Sequence, residues 1–478
     1  MSSQLVQDDP ATLQTYQMLG YHPATSVTGT SKTSARVMKP VYNTYNKNDF
    51  KVFGYYTDWS QYDGRLDGMT DPNQAGRGYD LAKVDPHAYD KIVIGFVGIL
   101  GDKGEKQQQI TKAASDFGIT TPWAPTFTDS WGDVLSYRNC GFTGWVSNDV
   151  QAYYNQKMAQ GVLGGLRKLK DANPDLRLSF SVGGWTMSEA FHFMAANATY
   201  RTNFINGIAD IFTRFPMFTE IDLDWEYPSA AGHPGNTYDD SDAPNYALLV
   251  KELKAKLVSI SRPDVLISIA CSADVTKLAK ANIPAMITNG VTGINLMTYD
   301  FFGTGWATEV AHHTNLKTYP NSPFSTDSAV CYLLDKGVNP KNIYIGFAAY
   351  SRNAAGCTIT STSPLKGSYN QSAQVTGMFE VGVSENADIM YNYMDYEKKQ
   401  GRNGFTLYTD EVADADYLYS SSSQMFLSID TPRTVKDKAE YVKSKGLGGM
   451  FTWTIDQDRG LLVNAAREGL GCTVKSKL

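Results

Sequence analysis

At 478 residues the chain is long enough to bury a large core and to carry a second, smaller unit. Its net charge of −6 at pH 7 offers no broad positive field, which argues against nucleic acid and anionic membrane as partners, and its longest apolar runs, such as "KIVIGFVGIL", are too short to span a bilayer. Tyr, Phe and Trp make up 12% of the chain, more rings than a core alone requires, so the partner is expected to be uncharged and met on aromatic surface.

In chain order, residues 1 to about 48 are polar, with the Ser/Thr-rich stretch "SVTGTSKTSARV", and read as an N-terminal extension or linker rather than a core element. The opening "MSSQLVQDDPATLQ" has no basic start followed by an apolar run, so no secretory signal peptide is legible. Short β-branched runs then recur: "KVFGYYT" (51–57), "KIVIGFVGI" (91–99), "LRLSFSV" (176–182), "FTEIDLDW" (218–225), "VLISIAC" (265–271), "TGINLMT" (292–298), "NIYIGFAA" (342–349) and "GGMFTWT" (448–454). Helical periodicity fills several of the intervals, as in "YYNQKMAQGVLGGLRKLKDA", "TNFINGIADIFTRF" and "NYALLVKELKAKLVSI".

Eight strands, mostly apolar on both faces and alternating with helices, predict a (β/α)8 TIM barrel of the α/β class, an open doubly wound sheet being the alternative. Two intervals exceed one crossover helix. The first, about 100–150, holds Trp123, Trp131 and Trp145; the second, 353–440, has its own alternation and predicts a small α+β insertion between strands seven and eight. The division is therefore 1–48 as extension, 49–352 with 441–478 as barrel, and 353–440 as insertion domain.

The fourth strand carries acids at every second position. Asp222, Asp224 and Glu226 share one face while Ile221, Leu223 and Trp225 share the other. In a barrel the acids point inward and climb toward the C-terminal mouth, with Glu226 uppermost. Three neighbouring carboxyls in a partly dry interior cannot all ionise, so one is expected to hold a proton near neutral pH and to act as a general acid. The apolar alternate face argues against a solvated edge strand, and the missing Gly and Asn ligand spacing argues against a metal site.

Other features offer less chemistry. Ser181, Gly183, Gly184 and Trp185 end the third strand, Met297, Tyr299 and Asp300 the sixth, and Trp453 the eighth. Ser179 stands where a serine-hydrolase elbow would need glycine. Five dispersed cysteines without CxxC spacing suggest neither a disulfide framework nor zinc, although one pair could bridge. His312 and His313 lack the spacing of a helical zinc pair and read as structural or surface residues. "YDDSDAP" (238–244) reads as a solvated turn, with calcium binding as the lesser alternative. Asn197 and Asn370 head Asn-x-Ser/Thr sequons, which carry meaning only in a secretory eukaryote.

Together these segments resemble glycoside hydrolase family 18, the chitinase family, over about residues 50–470. Ile221 through Glu226, followed by Tyr227 and Pro228, match its strand-four acid motif; Ser181, Gly183 and Gly184 match Ser-x-Gly-Gly; Met297, Tyr299 and Asp300 match Met-x-Tyr-Asp; Trp453 matches the strand-eight tryptophan. Thr219 and Glu220 depart from the motif's Asp-Gly start, and Ser351 replaces a glycine common between Tyr350 and Arg352. Residues 353–440 resemble the chitinase insertion domain of deep-groove bacterial members. The chain is also similar to chitinases accompanying insecticidal toxin complexes, which implies a larger toxin-type assembly engaged through the N-terminal extension.

The resemblance implies cleavage of β-1,4 bonds in chitin and chitooligosaccharides without a cofactor, at an extracellular location. It implies Glu226 as acid and base, Asp224 as partner of the sugar's acetamido N–H, Asp222 sharing a proton with Asp224, and Tyr299 on the acetamido oxygen. Trp453 would floor the reacting ring, Asp300 and Arg352 would touch the sugars beside it, Trp59 and Trp185 would stack on flanking sugars, and Glu380 would reach a donor-side sugar. Tyr227, Tyr350, Met297, Ser181 and Gly183 complete the implied substrate surround. An endo-N-acetylglucosaminidase acting on glycoproteins and a chitin-binding lectin are the alternatives; such lectins usually lack the acid that Glu226 supplies.

Overall fold

The computed structural model describes residues 4–68 and 70–476. Strands β1 (Lys51–Thr57), β2 (Lys91–Ile99), β3 (Arg177–Gly183), β4 (Phe218–Asp224), β5 (Leu266–Ser272), β6 (Val291–Met297), β7 (Ile343–Ala348) and β8 (Gly449–Trp453) run parallel. β1 pairs with both β8 and β2, so the sheet closes on itself. That closure removes the open-sheet alternative, in which β1 or some other strand would be left with an unpaired edge.

The helices outside the ring start and stop where their sequences dictate. Asn197 accepts the amides of Thr199 and Tyr200 to cap Ala198–Arg214, and Thr431 with Thr434 forms a capping box ahead of Pro432–Lys445, which Gly446 ends at φ +66°. Ile221 and Leu223 of β4 and Trp225 just after it are buried in the main core, with Trp225 stacked at 5.3 Å on Phe191 of helix Glu189–Ala196. Each such side chain contributes roughly 1.5–3 kcal/mol of burial.

Inside the barrel the lower layer is ionic. Glu220, the departure from the family motif, meets Lys91 at 2.5 Å, and the Lys91 ammonium lies 3.9 Å from the Phe53 ring centroid. The position thus holds a buried, paired charge.

Two excursions rise from the ring. After β2 come helix Gln107–Phe117 and a short strand, Pro125–Phe127, antiparallel to β2. After β7 the chain enters a five-stranded antiparallel sheet ordered Val383–Glu385, Tyr350–Ala354, Met425–Ile429, Ala415–Ser420, Thr406–Asp410. Ser351 ties Tyr350–Ala354 to its neighbour Val383–Glu385, its Oγ donating to Asn353 Oδ1 at 2.6 Å and accepting from the Ser384 amide at 3.3 Å.

The N-terminal segment corrects the sequence reading. It is no linker: helix Pro10–Leu19 is followed by Gly29–Thr30, which pairs with Thr376–Gly377 of the insertion, and Thr44–Asn46 pairs with Thr473–Ser476. Val37, Met38 and Tyr42 are fully buried. The Ser/Thr-rich composition has a physical use here, because Ser31 Oγ and Thr33 Oγ1 donate to the buried Asp388 at 2.6 and 2.8 Å. None of the five cysteines is in a disulfide. Among the described residues no helix is long and apolar enough to cross a membrane.

Candidate active site

The acid ladder is placed by β4, whose strand geometry ends at Asp224, leaving Glu226 just above it in the turn toward Pro228. Asp222 sits in the barrel interior, fully buried, and receives donors from four strands: Tyr55 Oη (2.9 Å), Ser181 Oγ (2.8 Å), Ser268 Oγ (2.7 Å) and Asn295 Nδ2 (3.0 Å). Burial raises its proton affinity, and these donors oppose that rise. Both Asp222 oxygens are engaged in this way, and its charge in turn raises the proton affinity of Asp224.

Asp224 has no such cage. Burial first, then the charges of Glu226 and Asp222, hold its carboxyl protonated far above the ordinary range, and its Oδ1 is buried without a hydrogen-bond partner among the described residues. An unpartnered acceptor in a dry site is costly unless a ligand supplies the donor. Gly183 explains how the strands pack so closely here: it sits at φ +105°, and a Cβ would come within 2.4 Å of the Asp224 carbonyl oxygen.

Glu226 is 8% exposed. Burial and the nearby Asp300 charge push its pKa up to about 7, against opposing contributions from Tyr227 and Lys277. Its backbone amide donates to Ser188 Oγ at 2.9 Å. Asp300 is the reverse case: burial alone would raise it, yet the Arg352 guanidinium at 2.7 Å and the buried His313 hold it ionised well below the usual carboxylate range, with Tyr350 Oη donating at 2.8 Å. One carboxyl is thus kept protonated beside one kept charged. Tyr299 is buried, and burial above all keeps its hydroxyl protonated.

Trp59, Asp300, Tyr350, Arg352, Glu380 and Trp453 line one cleft of about 580 Å³. Trp453 leans on Tyr55 and Phe96, each with ring centroids at 5.6 Å, while Met297 and Tyr299 pack beneath it with Phe451. Trp59 and Trp185 are 42% and 45% exposed, large apolar faces left open to solvent. Trp185 stands outside the cleft lining, edge-on to His233 at 5.7 Å, and Tyr227 carries the Lys277 ammonium 4.1 Å from its ring centroid.

Several contributors are absent from the sequence-derived set. Tyr55, Ser268 and Asn295 are polar positions inside otherwise apolar strands, a signal that a search for inward polar residues would find. His313 sits against Asp300, and its neighbour His312 bonds Asp410 at 2.9 Å; both are fully buried rather than on the surface. The acidic loop is likewise only partly solvated, since Asp242 is fully buried and held by His192 Nδ1 at 2.7 Å and by the amides of Ser229 and Asp239.

Glu226 is not itself among the residues that line the cleft, but the Asp300 that raises its proton affinity is, and a carboxyl kept protonated near neutral pH is equipment for general acid chemistry. The chain belongs to glycosyl hydrolases family 18, which matches residues 51–458. It is 44% identical to Chitinase 1 of Yersinia entomophaga over 97% of this chain and 89% of that one, and 40% identical to Chitinase 2 of the same organism over 99% and 80%. Among solved structures it is similar to the chitinase Chi1 fitted into the Yersinia entomophaga toxin complex, with a TM-score of 0.95 and 43% identity, covering 100% of this chain and 98% of that one.

Proposed function

We propose that the protein hydrolyses β-1,4 bonds in chitin and chitooligosaccharides with retention of configuration, the substrate's own 2-acetamido oxygen acting as nucleophile. The observation that carries this reading is the proton held by Glu226 up to about pH 7 beside a neutral Asp224 whose Oδ1 awaits a donor. Glu226 gives its proton to the glycosidic oxygen as the acetamido oxygen closes on the anomeric carbon and the leaving sugar departs. Water then opens the oxazolinium ion, returning a proton to Glu226. This family is a known exception to the two-carboxylate scheme.

Asp224 Oδ1 accepts the acetamido N–H, Tyr299 Oη donates to the acetamido oxygen, and Trp453 floors the reacting ring. Asp300 and Arg352 meet neighbouring sugars, with Trp59, Trp185, Tyr227, Tyr350 and Glu380 extending the surface, while Met297, Ser181 and Gly183 support it from below. An insoluble polymer substrate places the activity outside the cell. Membership of a toxin-type assembly is the second part of the proposal. It is supported by similarity to Chi1 over the whole chain, including the N-terminal segment that lies outside the family match.

The test is a time course on labelled chitohexaose and on a high-mannose glycoprotein, with the anomer of the first product read by NMR. The proposal expects chitohexaose cleavage and a β-anomer. An early α-anomer, release of glycan from the glycoprotein alone, or binding without turnover would overturn it.

A further inference from the structure

Lys32 belongs to the N-terminal segment, 19 positions before the first residue of the family match, yet it lines the same cleft as Trp59, Trp453 and Asp300. Its main chain is fixed on both sides. The Lys32 amide donates to the Met378 carbonyl at 2.9 Å, its own carbonyl accepts from Arg65 Nη1 at 2.6 Å, and the residue is held at φ +53°. Its ammonium lies 6.0 Å from the ring centroid of Phe379, also in the cleft wall.

The other cations of the cleft are spoken for. Arg77 is paired with Glu385 and Arg352 with Asp300. Among the described residues no carboxylate lies within ion-pair distance of Lys32, which keeps up to three N–H donors for something that enters the cleft. Burial and the Arg65 charge lower its proton affinity, as befits an ammonium set against protein without a counter-ion.

We propose that Lys32 and Phe379 form a further sugar subsite in the wall of the cleft. There the ammonium donates to a hydroxyl or acetamido carbonyl oxygen of an uncharged N-acetylated hexosamine unit, and the ring of that unit packs on Phe379. A segment outside the family core therefore lengthens the groove, and chains long enough to reach Lys32 are favoured over short ones. The inference rests on the chitin-hydrolysing reading above.

The experiment compares the wild type with Lys32→Asn and Lys32→Arg on chitotriose and chitohexaose. Asn tolerates the positive φ while withdrawing the ammonium, and Arg keeps a cationic donor. The ratio of kcat/KM for chitohexaose to that for chitotriose should fall about tenfold in Lys32→Asn, as expected for loss of one charge-assisted hydrogen bond, and should return toward wild type in Lys32→Arg. An unchanged ratio, or a loss that Arg fails to rescue, would overturn the subsite. If the wild type cleaves neither oligomer, the proposed function fails instead. Calorimetric binding of chitohexaose then decides the subsite: a roughly tenfold weaker Kd in Lys32→Asn supports it, and an equal Kd removes it.

Discussion

Replacing Glu226 by Gln should stabilise the fold at alkaline pH. The carboxyl is raised from its ordinary 4.5 to about 7 in the folded protein, so folded protein holds a proton that unfolded chain releases between those values. Linkage fixes the sign: this contribution is fully present below pH 4.5 and is lost as pH rises through 7. A gap of about 2.5 at about 1.36 kcal/mol per pH step gives about 3 kcal/mol of destabilisation above pH 8, which a neutral Gln does not incur. For a chain of this length the entropy of unfolding approaches 1 kcal/mol per kelvin, so the variant should melt about 3 °C higher at pH 8 and with the wild type at pH 4. Calorimetry across that range reads the difference. A gap independent of pH, or a Gln variant less stable at pH 8 than at pH 4 relative to wild type, would refute the buried, proton-holding carboxyl.

Three further outcomes follow from the same structure. Hydrolysis should decline as pH rises through about 7, because the acid must be protonated; a flat rate profile to pH 9 would contradict that. Gly183→Ala should cost about 1–3 kcal/mol in denaturant titration and reduce kcat, since the new Cβ meets the Asp224 carbonyl at 2.4 Å and φ is +105°; wild-type stability would show that the strands can part there. Ser31→Ala combined with Thr33→Ala should cost about 1–3 kcal/mol by withdrawing two donors from Asp388, whereas a segment that merely linked domains would show no change.

The barrel was legible because its strands are short β-branched runs whose outward residues meet helices of matching period. Period-two spacing makes the common face of Asp222 and Asp224 legible within β4, whereas Glu226 follows in the turn just past the strand's end. What escaped depends on distance along the chain. Ser31 and Thr33 look like linker composition until Asp388, more than 350 positions away, is placed between them. Tyr55, Ser268 and Asn295 each look incidental within an apolar strand, and only closure of the ring brings all three to Asp222. His312 and His313 lack the spacing of a zinc pair, and adjacency in sequence does not show which acid each meets, Asp410 for one and Asp300 for the other.

The most direct measurement of the central claim is chitohexaose turnover by Glu226→Gln alongside its affinity for the same oligomer. The account predicts a kcat lowered by at least a hundredfold, the scale of a lost general acid, with Kd held within a few-fold of wild type. Turnover near the wild-type rate would show that the proton comes from elsewhere.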